Sequence, residues 1–131
     1  PELIEGIVRV KDSINSYTMD RLAQAGAVAA IKDVAYFQET RAKIMKTRER
    51  VSRRLEAQGF TVLPSEANFI FVTHESCPGR ELFEKLRIRG ILVRYFDKPK
   101  IDNFIRVSIG TDEEMDLFVE ACLAVCGETS R

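Results

Sequence analysis

The sequence is poor in the residues that build self-contained active centres. It has a single histidine, His74, and three cysteines, Cys77, Cys122 and Cys126. One histidine with no second and no suitably spaced carboxylate pair supplies no metal-ligand cluster. The cysteines are odd in number and lack CxxC spacing. Cys122 and Cys126 lie one helical turn apart in an apolar stretch, so buried free thiols are expected rather than a disulfide framework. Net charge is absent too: 20 basic residues face 20 acidic ones. A general polyanion binder draws its affinity from excess positive charge, so that class is disfavoured. No apolar run approaches the roughly 18 residues of a membrane span, and no secretory signal pattern opens the chain. There is no internal repeat, Gly-rich phosphate loop, strand-anchored GxGxxG or GxSxG. A complete catalytic machine is not visible.

What is present is enough for one folded domain. At 131 residues, a domain buries roughly two thirds of its unfolded surface. The chain starts at Pro1 without a methionine, which raises the expectation of a piece of something longer. Pro1 to about Ser13 reads as a helix, with proline at the first helical position and Glu2 and Glu5 near its positive end. Leu3, Ile4, Ile7, Val8 and Val10 supply its apolar side. Asn15 to Thr18 is a turn, and Ser16 or Thr18 is placed to cap the next helix, Asp20 to about Lys32. That helix is rich in alanine, and its small side chains predict close approach by another backbone. A third helix runs from about Ala35 to Gln58, with Gly59 at a C′ position. Phe37, Ile44, Val51 and Leu55 make one narrow apolar stripe on it. Its remaining surface, with Lys43, Lys46, Arg48, Arg50, Arg53 and Arg54 among acids, reads as a solvated face.

After Gly59 the period changes to two. Phe60–Leu63 and Ala67–Thr73 read as strands around a Pro64-Ser-Glu turn, and His74 to Gly79 as a loop with His74 at the surface. A helix from Arg80 to Arg89 stops at Gly90. Thr111, with Glu114 three residues on, opens the last helix as a capping box. Met115, Leu117, Phe118, Ala121, Cys122 and Val125 are expected to face the core, and Gly127 to end the helix. The order is helix, helix, long helix, two strands, helix, two strands, helix. This predicts an α+β fold: a small, mostly antiparallel sheet covered by helices.

The two strands before the last helix hold the chemistry. In Ile91 to Phe96, Leu92, Arg94 and Phe96 share one face. In Asn103 to Thr111, Phe104, Arg106 and Ser108 share one face, opposite Ile105, Val107 and Ile109. A guanidinium among apolar residues loses hydration and cannot shed its charge, so it wants an anion. Its planar fork matches a carboxylate or phosphate bidentately. From the strands alone, the alternatives are an edge arginine in water or an ion pair to Asp102 or Glu113.

A set of segments narrows the choice. Pro1-Glu-Leu-Ile, Tyr17 with Leu22-Ala-Gln-Ala, Pro64-Ser-Glu-Ala-Asn-Phe69, Gly90-Ile-Leu-Val-Arg94 and Ile105-Arg-Val-Ser-Ile-Gly-Thr111 with Glu113-Glu114 stand in this order over nearly the whole chain. Together they resemble the histidinol-phosphate aminotransferase family, within the fold-type I pyridoxal-phosphate aminotransferases. The resemblance implies residues 1–58 as a helical segment linking to an absent cofactor domain, and 59–131 as the small C-terminal α+β domain. It implies a cytoplasmic, homodimeric parent enzyme of histidine biosynthesis that moves an amino group between histidinol phosphate and 2-oxoglutarate. The products are imidazole acetol phosphate and glutamate, with pyridoxal 5′-phosphate as cofactor and no nucleic-acid or membrane partner. The family's cofactor-bonding lysine lies in a Ser-Lys stretch upstream of Pro-Glu-Leu-Ile, so this chain alone is expected to be inactive and cofactor-free.

By the same resemblance Arg106 matches the arginine that binds the substrate α-carboxylate, and Arg94 the arginine associated with the phosphate of histidinol phosphate. Asn68 matches a motif residue near the site. The run Tyr17-Thr-Met-Asp20 departs from the family's usual Tyr-Asn-Val-Asn, which puts a role for that loop in doubt. Aromatic aminotransferases and threonine-phosphate decarboxylase share these motifs. A stand-alone α+β anion-binding or regulatory module is the alternative from another class.

Overall fold

The computed structural model describes residues 1–15 and 17–129. Five helices and four strands follow the expected order: α1 (Glu2–Asn15), α2 (Arg21–Lys32), α3 (Val34–Glu56), β1 (Phe60–Leu63), β2 (Phe69–His74), α4 (Gly79–Ile88), β3 (Arg94–Tyr95), β4 (Ile105–Ser108) and α5 (Asp112–Thr129). The chain forms two compact units, residues 1–39 and 40–131. The division falls inside α3, because the later turns of that helix belong to the core of the second unit.

In the first unit, α1 has acids in its first turn and a Glu5–Arg9 pair one turn apart at 2.5 Å. Its apolar residues Leu3, Ile4, Ile7, Val8 and Val10 are all exposed, and α2 buries no residue. The cap of α2 is neither of the two expected residues. Ser16 lies outside the described residues, and Asp20 rather than Thr18 accepts the Ala23 N–H at 2.8 Å. A carboxylate three residues ahead of that amide is the stronger acceptor for a helix's positive end. Asp33 serves two helices. Its N–H donates to the Ala29 carbonyl at 3.1 Å, closing α2, and its carboxylate accepts the Tyr36 N–H at 3.1 Å, opening α3.

The second unit is a four-stranded antiparallel sheet in the order β1-β2-β4-β3. Glycines at positive φ, Gly59 at 86° and Gly90 at 79°, end α3 and α4 in the backbone region that only glycine enters without strain. The core gathers Val51 and Leu55 of α3, Ile70 and Val72 of β2, Leu82 and Leu86 of α4, Ile105 and Val107 of β4, and Met115, Phe118, Val119, Cys122 and Val125 of α5. All lie on the same side of the sheet, which the three helices cover. The capping box of α5 is formed as expected: the Thr111 N–H donates to Glu114 at 2.8 Å, and the Glu114 N–H to the Thr111 hydroxyl at 3.3 Å.

Several expectations change. The strand expected over Ile91–Tyr95 shrinks to two residues, because the Ile91 N–H is committed to the Leu86 carbonyl at 3.0 Å, closing α4. Leu117 is 62% exposed and not in the core. The last helix runs through Gly127 to Thr129, since that glycine keeps helical φ and nothing crowds it. On α3 the stripe is buried only at its C-terminal end, with Val51 and Leu55 at 0% and Phe37 at 57%.

The basic surface of α3 is not simply solvated. Arg50 bonds Asp112 at 2.9 Å and also Asp116. Arg54 reaches Asp116 as well. The buried Thr47 hydroxyl donates to Asp112 at 2.8 Å. These contacts clip α3 to α5. They hold both carboxyls below their usual range, Asp116 chiefly through Arg50 and Asp112 chiefly through Thr47, then Arg50. The three cysteines are buried free thiols, as expected. Burial pushes Cys122 up, and raises Cys126 to about 12 with Cys77 beside it.

Candidate substrate-anion site

Cross-strand registry assembles the site. Leu63, Phe71, Arg106 and Arg94 are successive partners across β1, β2, β4 and β3. Directly opposed residues in a sheet point to the same face, so the two arginines stand side by side on the face away from the helices. Phe69 lies two residues before Phe71 and joins them there. Phe96 and Phe104 flank the short strands at the same parity.

The rings form a bed for the guanidiniums. Phe71 stacks on Phe104 with centroids 4.9 Å apart and meets Phe96 edge-on at 6.2 Å. The Arg106 guanidinium carbon sits 5.3 Å from the Phe69 ring and 5.8 Å from Phe96, and that of Arg94 sits 5.3 Å from Phe96. Ring faces are negative and attract cations. Among the described residues neither guanidinium is hydrogen-bonded to a protein oxygen, so the N–H forks stay available.

Among the described residues neither arginine is in an ion pair. The bridge to Asp102 or Glu113 that sequence left open is not formed. Asp97, the acid nearest in sequence to Arg94, is taken by Arg80 at 2.6 Å, and that contact raises the Arg80 pKa. Arg80 also lies 5.2 Å from the Tyr95 ring, and Phe83 stacks on Tyr95 at 5.9 Å. Thus α4 holds β3 from the helical side while Arg94 projects to the other. Two permanent cations with no acid between them repel, and an anion bound by both relieves that repulsion.

The other sequence candidates lie elsewhere. Asn68 is exposed, just before β2. Its carbonyl accepts the Ile109 N–H at 2.8 Å, and its parity sets it with Ile70, not with the arginines. Its segment is pinned from α3: Arg48 donates to the Ala67 carbonyl at 2.7 Å and to Glu66 at 3.1 Å. Tyr17 belongs to the first unit and is 90% exposed. His74 is half-buried, its ring 4.7 Å from Phe60 and its Nδ1 accepting the Ser76 N–H at 3.2 Å. Sequence reasoning missed Phe69 and Phe71 as neighbours of the arginines. Only the β2–β4 pairing brings them there, although Phe96 and Phe104 already share the arginines' parity in the sequence.

No lysine lies in the rows of residues that make up the arginine face, and among the described residues no His, Cys, Asp and Glu group can hold a metal. The face can bind and orient anions; it has no group to bond a carbonyl cofactor. Among the described residues no helix is long and apolar enough to cross a membrane.

Comparison with known proteins places the chain in a family. The profile of the family described as aminotransferase class I and II matches residues 1–122. The histidinol-phosphate aminotransferase of Clostridium acetobutylicum is 58% identical over 127 residues, covering 95% of this chain and 36% of the relative. That of Clostridium beijerinckii is 57% identical over 119 residues, covering 91% and 33%. The chain therefore spans about one third of the length of the curated relatives it matches. Among solved structures, histidinol-phosphate aminotransferase from Sinorhizobium meliloti, in complex with pyridoxal-5′-phosphate, superposes with a TM-score of 0.78 at 31% identity, covering 92% of this chain and 34% of that one. With sequence match and superposition in agreement, the chain belongs to the class I and II aminotransferase family.

Proposed function

We propose that this chain supplies the small substrate-binding domain, with linking helices over residues 1–58, of a cytoplasmic pyridoxal-phosphate aminotransferase that interconverts histidinol phosphate and 2-oxoglutarate with imidazole acetol phosphate and glutamate. The observation behind this reading is the cross-strand pairing of Arg94 and Arg106 with no acid between them. Glutamate and 2-oxoglutarate bring a carboxylate beside the reacting carbon, and histidinol phosphate brings a phosphomonoester. One pair of adjacent guanidiniums accommodates both in turn.

In this reading Arg106, bedded between Phe69 and Phe96, takes the carboxylate. Arg94, at the exposed edge, takes the phosphate, with Asn68 at the margin of the site. Neither arginine makes or breaks a bond; both orient the substrate. The cofactor supplies the electron sink for amino transfer when bound. This chain's residues do not fit it, so its lysine and phosphate contacts belong to the remaining two thirds of a parent of the relatives' length, a homodimer. The test is amino transfer from glutamate to imidazole acetol phosphate by such a longer polypeptide, beside aromatic and phosphothreonine substrates. Preference for the imidazole substrate supports the reading. Preference for another substrate moves it to a sister enzyme, and no amino transfer at all leaves the stand-alone anion-binding module.

A further inference from the structure

We propose that Phe96 is the positioning residue that couples the two arginines, so that the carboxylate and phosphate subsites act as one unit. The inference rests on the reading of Arg94 and Arg106 as an anion-binding pair and adds a residue that neither strand pairing nor charge singles out.

Three observations carry it. First, Phe96 is the one ring both guanidiniums approach, at 5.3 Å for Arg94 and 5.8 Å for Arg106. Arg106 has a second ring, Phe69, at 5.3 Å; among the described residues Arg94 has none. Second, the Phe96 ring is itself fixed from behind. Phe71 meets it edge-on at 6.2 Å and is itself stacked on Phe104, so β2 backs the ring through a braced side chain. Third, the segment that carries it is anchored. The next residue, Asp97, is bonded to Arg80 at 2.6 Å. The far end of the loop passes so close to α4 that a Cβ at Gly79 would lie 2.7 Å from the Asn103 carbonyl carbon.

The physical argument concerns like charges. Opposed guanidiniums on neighbouring strands repel and would splay into water when no anion is present. A ring that both approach attracts both and keeps their forks on one surface before the anion arrives. Half-buried rings around it lower local solvation, which strengthens attraction to the ring and to the anion. Losing Phe96 should therefore loosen both arginines together, whereas losing either arginine removes one subsite.

The test uses the 131-residue chain, with side-chain Nε–H resonances of Arg94 and Arg106 followed by NMR during titration with inorganic phosphate and, separately, glutarate. Phe96→Leu is expected to shift both resonances, through loss of the ring current, and to weaken anion binding at both arginines by roughly three- to tenfold. Phe96→Tyr should restore both. Phe69→Leu should move Arg106 alone. If Phe96→Leu loses the dispersed spectrum of a folded chain, Phe96→Met, similar in volume and without a ring, takes its place.

A folded ring-less variant in which either arginine keeps its resonance and its affinity overturns the coupling, even when Arg94→Ala abolishes the phosphate response and Arg106→Ala the glutarate response. An unchanged phosphate response in Arg94→Ala together with an unchanged glutarate response in Arg106→Ala defeats the anion-pair reading, and the coupling with it. A wild-type chain that binds neither anion defeats both as well, since no subsites are then present to couple.

Discussion

Two adjacent rows cross the sheet and do opposite work. Val62, Val72, Ile105 and Tyr95 form one; Leu63, Phe71, Arg106 and Arg94 form the next. The first faces the helices, and its central pair, Val72 and Ile105, is fully buried. The second has no fully buried member. Apolar side chains stand in both, Leu63 and Phe71 beside the arginines in the second, so hydrophobic residues alone do not separate them. What separates them is coverage: three helices fill one face, and the aromatic groups on the other are left to surround cations. In the proposed function, stability belongs to the first row and recognition to the second.

The sharpest way to break this contrast is to mutate neighbours along β4. Ile105→Ala should cost about 2–5 kcal/mol, as for a fully buried aliphatic residue. Arg106→Ala should cost under about 1 kcal/mol, since half-exposed charged positions contribute little to folding. Urea midpoints with unchanged slopes measure both. Equal losses would mean that Arg106 is structural and the two rows are not different in kind.

A smaller effect is expected where the loop bearing Phe96 and Phe104 meets α4. Gly79→Ala pushes a methyl against the Asn103 backbone, which cannot swing aside as a side-chain tip would. A loss of about 1–3 kcal/mol is expected, together with displaced Phe96 ring resonances. A silent substitution would show that the loop is not held at that point.

The contacts between α3 and α5 should appear as acid sensitivity. The Asp116 carboxyl lies below its ordinary value of 3.8, chiefly through Arg50. A lowered folded-state pKa gives stability that is fully present above the unfolded value and lost as pH falls through the folded one. Asp116→Asn should therefore lower stability at neutral pH and flatten its decline below about pH 4. An unchanged acid-unfolding curve would remove the clip from the account. Smallest of all, the buried thiols should be silent in the native state. With Cys126 raised to about 12 and none of the three exposed, a thiol reagent should react at the rate of unfolding. Fast labelling of one thiol would contradict the packing of the helix-covered face.

Much of this was legible in the sequence because period and punctuation are local signals. Alternation through Ile105–Ser108 assigned each residue its face, and Thr111 with Glu114 marked the start of α5. Parity already set Phe96 with Arg94 and Phe104 with Arg106. Which strands pair is not local. The order β1-β2-β4-β3, which brings Phe69 and Phe71 beside Arg106, depends on packing distant segments over one set of helices. The same limit hid the role of the α3 arginines: Arg50 and Arg54 look solvated until α5 brings Asp112 and Asp116 alongside. The cap of α2 is a competition between nearby polar residues, and Asp20 wins by charge and reach.

The central claim is that Arg94 and Arg106 divide two anions between them. It is tested most directly by single-turnover kinetics of each half-reaction in a longer polypeptide containing this domain, with Arg94→Ala and Arg106→Ala. Loss of a charge-assisted, bidentate contact removes about 1.5–3 kcal/mol, roughly ten- to 150-fold in specificity constant. Arg106→Ala should impair mainly the glutamate half-reaction and Arg94→Ala mainly the histidinol-phosphate half-reaction, with lysine at either position recovering only part because it keeps the charge and loses the fork. Equal, small losses in all four combinations would contradict the account.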